Sequence, residues 1–171
     1  MDKLIVFLAL GLGTGRSPVA PGTVGSLLGL VWLFALGQLT SVALFLFLVF
    51  LSFFAGVWIC TRAEEILKLH DPGCVVLDEI LALPVAGLGW LAWQHHTGMA
   101  RDHVFPLAGW EAVGWSVVIF ALFRLFDIAK PWPVGPSQNL AKGWGVMSDD
   151  FLAGLMTALV SFLGRWLLSL L

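Results

Sequence analysis

Three short acidic elements stand out in a chain that otherwise carries little charge. Asp78-Glu79 and Asp149-Asp150 are adjacent carboxylate pairs, and Asp127 is bracketed by Arg124 and Lys130 in FRLFDIAKPWP. Asp71 lies shortly before the first pair, and Arg16 sits in the Gly/Pro/Ser/Thr-rich stretch GTGRSPVAPGTVGS at residues 13–26. Several carboxylates without clustered His or Cys suit a hard cation, Mg²⁺ before a transition metal. Mg²⁺ on carboxylates with Arg and Lys beside it polarises and clamps a phosphate. The glycine-rich stretch offers backbone N–H groups to phosphate oxygens, though it follows neither the GxGxxG nor the P-loop pattern. Of the histidines, only His70, next to Asp71, lies near these elements; His95, His96 and His103 read as ordinary loop residues.

The elements that must hold these groups are apolar. Of 171 residues, 59% are hydrophobic and 12% charged, with a mean hydropathy of +0.94. Soluble domains are about one-quarter charged, and a water-exposed fold of this size could not cover so much apolar surface. The composition therefore predicts an all-α, multi-spanning bundle of membrane helices, a single domain over residues 1–171. A net charge of −2 with no basic stripe excludes a nucleic-acid partner. Cys60 and Cys74 follow no metal-ligand or disulfide-framework spacing. The N-terminal apolar stretch, with one Asp against one Lys before it and Pro21 after the nearest small-residue site, reads as a retained short helix rather than a cleaved leader.

Five apolar runs are candidate spans: residues 24–39, 41–60, 80–93, 112–126 and 151–171. The first holds Gly25, Ser26, Gly29 and Gly37; the third is short, which also suits a re-entrant or interior segment. If each run crosses once, Lys3, Arg16, Arg62, Lys68, Arg124, Lys130 and Lys142 collect on one side, and Arg101 and Arg165 on the other. Seven cations against two place the first side in the cytoplasm. Trp90, Trp93, Trp110 and Trp115 then flank the opposite face as an aromatic belt. Asp78-Glu79 opens the third run, Asp127 closes the fourth and Asp149-Asp150 opens the fifth, so all three elements meet at the cytoplasmic face. A single carboxylate before an apolar run is explained by helix capping. Two pairs and a cation-flanked Asp on one side exceed that need, and charge at a membrane edge is costly unless it is used.

Four segments carry a resemblance to a known family. SPVAPGTVGS (residues 17–26), DPGCVVLDE (71–79), FRLFDIAKPWPV (123–134) and GWGVMSDDFLAG (143–154), in this order, make the sequence similar to the phosphatidylglycerophosphatase A family over most of its length. The resemblance implies Mg²⁺-dependent hydrolysis of the membrane lipid phosphatidylglycerophosphate to phosphatidylglycerol and phosphate, at the cytoplasmic face of the bacterial inner membrane. Position by position, the family's acidic residues fall on Asp71, Asp78, Glu79, Asp127, Asp149 and Asp150, and its basic ones on Arg124 and Lys130. The expected roles are Mg²⁺ ligation by Asp71, Asp78, Glu79, Asp149 and Asp150, and phosphate binding by Arg124, Lys130 and Arg16. Catalysis would fall to Asp127, as ligand or as the base for water, together with Asp78 and Glu79. Direct attack by water and a covalent aspartyl-phosphate both remain open. Ser148 and Ala129 stand where apolar residues are expected, a tolerated variation.

Other classes lack their signatures. CDP-alcohol phosphotransferases need an Asp-Gly pair, which the chain does not contain, and neither the PSGH motif of acid lipid phosphatases nor the haloacid-type DxDx signature occurs. A small cation transporter would place its charges near the bilayer midplane, often in paired repeats; these acids cluster at one edge and no repeat is visible.

Overall fold

The computed structural model describes residues 1–70, 72–99, 103–105 and 109–171. The chain is helical from end to end, in an order set by where glycine, proline and charge interrupt the apolar runs. α1 (Asp2–Ala9) leads into a 3-10 segment, Gly11–Arg16, and α2 (Pro21–Gly37) begins with proline in the first turn, where its missing N–H costs nothing. α3 (Val42–Leu67) is N-capped by Ser41, whose Oγ accepts from Leu44 N at 3.3 Å, and ends at Lys68 in the left-handed conformation. α4 (Leu77–Ala86) and α5 (Leu88–Thr97) are joined by Gly87 alone. α6 (Gly109–Ala129) stops at Lys130, also left-handed, ahead of Pro131 and Pro133; the Trp132–Pro133 peptide is cis. The short α7 (Val134–Ser137) precedes α8 (Gly143–Leu168).

Among the described residues, three helices are long and apolar enough to cross a membrane: α3, α6 from Ala112 onward, and α8. At 26 residues each, α3 and α8 reach about 39 Å. Only 22–28% of each apolar window is buried within the chain, and their outer faces carry Phe47, Phe50 and Trp58, Val113 and Val117, and Leu155, Leu159 and Leu167. Such a surface is stable only against hydrocarbon.

The five expected runs therefore divide into two kinds. Residues 80–93 are not among the three long apolar helices: they belong to the α4–α5 pair, which lies inside the bundle and runs from the carboxylate end to Trp93 beneath Arg165. Ile80, Ala82, Leu83, Pro84, Val85 and Ala86 are all buried, because α2, α3 and α8 pack around α4. α2 is shorter than a full span and lies close on α4 through Gly25, Ser26 and Gly29, which are buried with Gly37 on its small-residue face. Three of the four tryptophans expected in an aromatic belt are also interior. Trp90, Trp93 and Trp115 join Leu33, Leu83, Phe105, Ile119 and Phe123 in the main core, and only Trp110 is exposed. Their rings are consumed in filling the space between α5, α6 and α8, where Trp90 and Trp115 meet edge to face at 5.3 Å.

Helix boundaries also shift one acidic pair. α8 begins at Gly143, eight residues before the expected run, so Asp149 and Asp150 lie in its second turn rather than at its cap. The start of α8 is held by Gly143 N donating to Thr61 Oγ1 at 3.2 Å, near the end of α3. The ends then sort themselves. The start of α2, the end of α3, the start of α4, the end of α6 and the start of α8 gather at one end of the bundle. At the other end, Val104 N donates to Leu39 O at 3.0 Å and Arg165 stands 5.5 Å over the Trp93 ring. Arg101, part of the far-side charge count, lies outside the described residues. Accessibility labels placed beside Lys68 and beside Leu140 should report the same side of the membrane, and labels at Thr40 and Leu171 the other. Labels at Lys68 and Leu140 on opposite sides would overturn this arrangement.

Candidate active site

Arg124 ties three helices together through one nitrogen. Its Nη1 donates to Glu79 Oε1 on α4 at 2.8 Å and to Ser26 Oγ on α2 at 3.3 Å, and stands in an ion pair with Asp127 Oδ2, one turn further along α6, at 2.7 Å. Ser26 is fully buried and donates in turn to Gly22 O at 2.9 Å. The approach of α2 to this ion pair requires glycine. A Cβ on Gly22 would collide with Glu79 Oε1, and one on Gly25 would press on Glu79 Oε2 and Val76. Two glycines one turn apart thus leave the cradle in which the Glu79 carboxylate sits.

Lys130 forms the second junction. Its Nζ donates to Asp149 Oδ2 at 2.6 Å and to Gln138 Oε1 at 3.3 Å, linking the loop after α6 to α8. The left-handed turn at Lys130, closed by Lys130 N on Phe126 O at 2.8 Å, aims the side chain back over the bundle. Burial pulls the Lys130 pKa down, but the hydrogen bond and charge of Asp149, with the charges of Asp150 and Asp127, outweigh it, and the net shift is upward. Asp150 N donates to Asp149 Oδ1 at 3.1 Å, which fixes the second oxygen of that carboxylate.

Asp78, Asp149 and Asp150 are all buried, and the charges of Asp78, Asp127, Asp149 and Glu79 all reach Asp150. Five carboxylates against two cations leave three formal negative charges at the end of an apolar bundle. Buried charge of one sign needs compensation. Among the described residues, Glu79 Oε2, Asp150 Oδ2 and Arg124 Nε are buried and have no hydrogen-bond partner. Two unsatisfied anionic oxygens in an all-oxygen donor set are what a hard divalent cation would take. No three of the described carboxylates already close around one point; Arg124 and Lys130 hold the facing oxygens of Glu79, Asp127 and Asp149. Mg²⁺ thus fits the chemistry and charge of the site.

The guanidinium is also incompletely used. Nη1 is engaged by Glu79, Ser26 and Asp127, while Nε is buried without a hydrogen-bond partner; the Nε–Nη2 edge of an arginine has the geometry for bidentate contact with an oxyanion.

Of the residues singled out from sequence, the fold brings together Asp78, Glu79, Arg124, Asp127, Lys130, Asp149 and Asp150. Arg16 is exposed at the end of the 3-10 segment and makes no ion pair among the described residues. Asp71 lies outside the described residues. His70 pairs with the buried Glu64 at the end of α3, Nδ1 to Oε1 at 3.0 Å, so its partner is a helix-end carboxylate rather than this cluster. Sequence reasoning missed Ser26 and Gln138 as partners of the two cations. Ser26 had a signal, as a polar residue in an otherwise small and apolar face of α2. Gln138, in an unremarkable polar loop, had none.

A bundle of long apolar helices with buried carboxylates and two clamped cations at one end suits a membrane-embedded enzyme that acts on a phosphate ester. Comparison with known proteins narrows the class: residues 7–165 match the family described as Phosphatidylglycerophosphatase A. A phosphatidylglycerophosphatase A of Haemophilus influenzae is 34% identical over 168 residues, covering 96% of this chain and 91% of that protein. That of Escherichia coli is 33% identical over 167 residues, 96% of this chain and 86% of that protein. A Bacteroides thetaiotaomicron protein, provisionally named a phosphatidylinositol-3-phosphatase, is 34% identical over 169 residues, with 96% of each chain covered. No solved structure matches. The chain belongs to the phosphatidylglycerophosphatase A family.

Two outcomes follow from the geometry. Glu79→Gln and Asp150→Asn keep shape and remove charge, and should each lower turnover at least 100-fold, about 3 kcal/mol in the barrier; Ser26→Ala removes one of the two hydrogen-bond acceptors of Arg124 Nη1 and should cost roughly tenfold or less. Near wild-type rates in the first two variants would leave those carboxylates a purely structural role. The second concerns pH. Because the Lys130 pKa is raised above its usual 10.5, its ion pair with Asp149 is fully present at neutral pH and is lost only as pH climbs through that raised value. A rate profile of wild type and Lys130→Arg should therefore show no limb assignable to this residue below pH 10.5.

Proposed function

We propose that this protein hydrolyses phosphatidylglycerophosphate to phosphatidylglycerol and inorganic phosphate with the help of Mg²⁺, at the cytoplasmic face of a bacterial inner membrane. The observation that carries the reading is the cluster itself: five carboxylates and two cations set at one end of an apolar bundle. There a lipid headgroup can enter while its acyl chains stay in hydrocarbon. Family membership supplies the substrate, and the seven-to-two bias of Lys and Arg supports the cytoplasmic side.

Asp78, Glu79, Asp149 and Asp150, with Asp71 from the same motif as Asp78 and Glu79, would hold the metal. When bound, Mg²⁺ would supply Lewis-acid polarisation of the phosphoryl oxygens and offset the excess negative charge. The chain's own groups do the rest. The Nε–Nη2 edge of Arg124 takes two oxygens of the terminal phosphate and sets its orientation. Lys130, held by Asp149 and Gln138, adds a second positive charge, and Arg16, exposed at the end of the 3-10 segment, would attract the anionic headgroup. Asp127, fixed at one oxygen by Arg124, accepts the proton of an attacking water. The new bond joins that oxygen to phosphorus, and the bond between phosphorus and the glycerol oxygen breaks. The departing oxygen takes up a proton and leaves as the lipid alcohol.

Purified protein should release phosphate from phosphatidylglycerophosphate faster than from phosphatidic acid or phosphatidylinositol 3-phosphate, lose the activity in chelator and regain it with Mg²⁺. Equal rates on all three lipids would overturn the substrate assignment, and full activity in chelator would overturn the metal. Arg124→Lys keeps the charge but loses the fork; it should raise KM and lower kcat together, by at least tenfold in kcat/KM, on the order of 1.4 kcal/mol.

A further inference from the structure

The loop between α6 and α8 is fitted to the first turns of α8. α7 is a single turn, and Gln138 follows it directly. Val134, fully buried in the main core, anchors the turn at its start. Two glycines let the backbones lie close. A Cβ on Gly135 would stand 2.8 Å from Lys130 O, and one on Gly145 would stand 2.5 Å from Gln138 O and 2.7 Å from Leu140 O. Gly145 and Asp149 are four residues apart and share a face of α8. The backbone at residues 138–140 therefore rests on the face of α8 that carries Asp149, and from there the Gln138 side chain reaches Lys130.

The bond between them adds little to the fold. Gln138 is exposed, the distance from Lys130 Nζ to Gln138 Oε1 is 3.3 Å, and water can replace a neutral acceptor at such a place. Its effect is on direction. An ammonium has three N–H donors. Asp149 Oδ2 takes one at 2.6 Å and Gln138 Oε1 a second, and among the described residues the third has no partner. With Asp149 alone, the flexible four-carbon stem of Lys130 would pivot about a single contact. Two acceptors on separate elements hold Nζ in place, and the tetrahedral nitrogen then has one direction left for its third N–H. The second acceptor is also uncharged. A carboxylate there would cancel more of the lysine's charge, whereas an amide orients the ammonium and leaves that charge to an anion.

We propose that Gln138 is a positioning residue for substrate binding: it fixes Lys130 so that the third N–H meets an oxygen of the terminal phosphate. This rests on the reading of Lys130 as a phosphate ligand.

Steady-state kinetics of the purified protein on phosphatidylglycerophosphate, in a double-mutant cycle with Lys130, test the role. Gln138→Met keeps the length of the side chain and removes the acceptor; it should lower kcat/KM about fivefold, through both kcat and KM. Gln138→Glu keeps an acceptor and adds a charge that opposes the phosphate; it should recover kcat while raising KM. Lys130→Ala should lower kcat/KM roughly 30-fold. Adding Gln138→Met to Lys130→Ala should cost nothing further, because the lysine it orients is gone. Asn139→Leu, at the neighbouring exposed amide, should match wild type. Wild-type kcat/KM in Gln138→Met, or the same loss from that substitution with and without Lys130, would overturn the proposal alone. So would Gln138→Glu turning over no faster than Gln138→Met, or an equal loss in Asn139→Leu. An unaffected Lys130→Ala would overturn the phosphate role of the lysine, and the positioning role with it.

Discussion

Arg124 is the interaction on which the rest of the site depends. A guanidinium at the end of an apolar helix is costly unless its donors are matched, and here one nitrogen reaches α2, α4 and its own helix at once. To make those bonds, α2 must approach α4 closely, which the glycines at 22 and 25 permit. Glu79 must lie in the first turn of α4 and Asp127 in the last turn of α6. The ion pair therefore fixes the relative heights of three helices, and Lys130 extends the same lock to α8 through Asp149. An arginine held at one corner is rigid but not spent, which would let the same side chain serve both the fold and, in the proposed reaction, a phosphate.

The surrounding protein is built inside out relative to a water-soluble domain. Its long helices turn Phe, Leu, Val and Trp outward, while among the described residues Ser26, Glu64, Asp78, Gln94, Asp149, Asp150, Thr157 and Ser161 are the buried polar side chains. Hydrocarbon gives no driving force for apolar faces to meet one another, so association falls to close packing of small residues and to polar bonds. Both appear between α2 and α4: Gly25 and Gly29 bring the backbones together, and Arg124 and Glu79 add the polar tie. α4 carries Pro84 inside the helix, fully enclosed by the bundle.

Much of this was legible in the residues, and the parts that were not have physical reasons. Acidic pairs and flanking cations showed the site because charge is rare here and each occurrence is conspicuous. That they converge at one end followed from alternate crossing, and the helix ends do gather so. Burial was harder to read. The runs at 24–39 and 80–93 are as apolar as the lipid-facing ones, since an interior helix and a lipid-facing helix need the same side chains. Shortness, glycine and proline were the only signs that 80–93 lies inside and that 24–39 lays one face closely on it while Leu27 and Val31 stay exposed. Tryptophan misled for a related reason: a ring that suits the membrane interface also fills a core between splayed helices, and Trp90, Trp93 and Trp115 do the latter. The start of α8 was placed late because Gly143 and Gly145 read as loop, whereas they admit close contact with the backbones of Val57 and Gln138. Gln138 could not be found at all; a lone amide gains meaning only when the fold brings a lysine to it.

The excess of negative charge gives the proposed chemistry its logic. A phosphate monoester carries about −1.5 to −2 at neutral pH, and a site with five carboxylates and two cations would repel it if every group were ionised and nothing else were bound. Neutralising the acids by substitution would admit the phosphate but leave no base for water and no ligand for an ion. A divalent cation resolves both demands, since it offsets two charges at one point and remains attractive to the oxygens that need polarising. The same reasoning explains why the two basic residues are locked onto carboxylates instead of standing free. Arg124 and Lys130 lower the repulsion among the acids in the resting protein, and the edge of Arg124 left open is the part that would meet the incoming phosphate. Apolar surroundings strengthen each of these interactions by keeping water, and its dielectric screening, away. On the proposed chemistry, a carboxylate-rich site at the rim of a bilayer would be an electrostatic balance that metal and substrate close together.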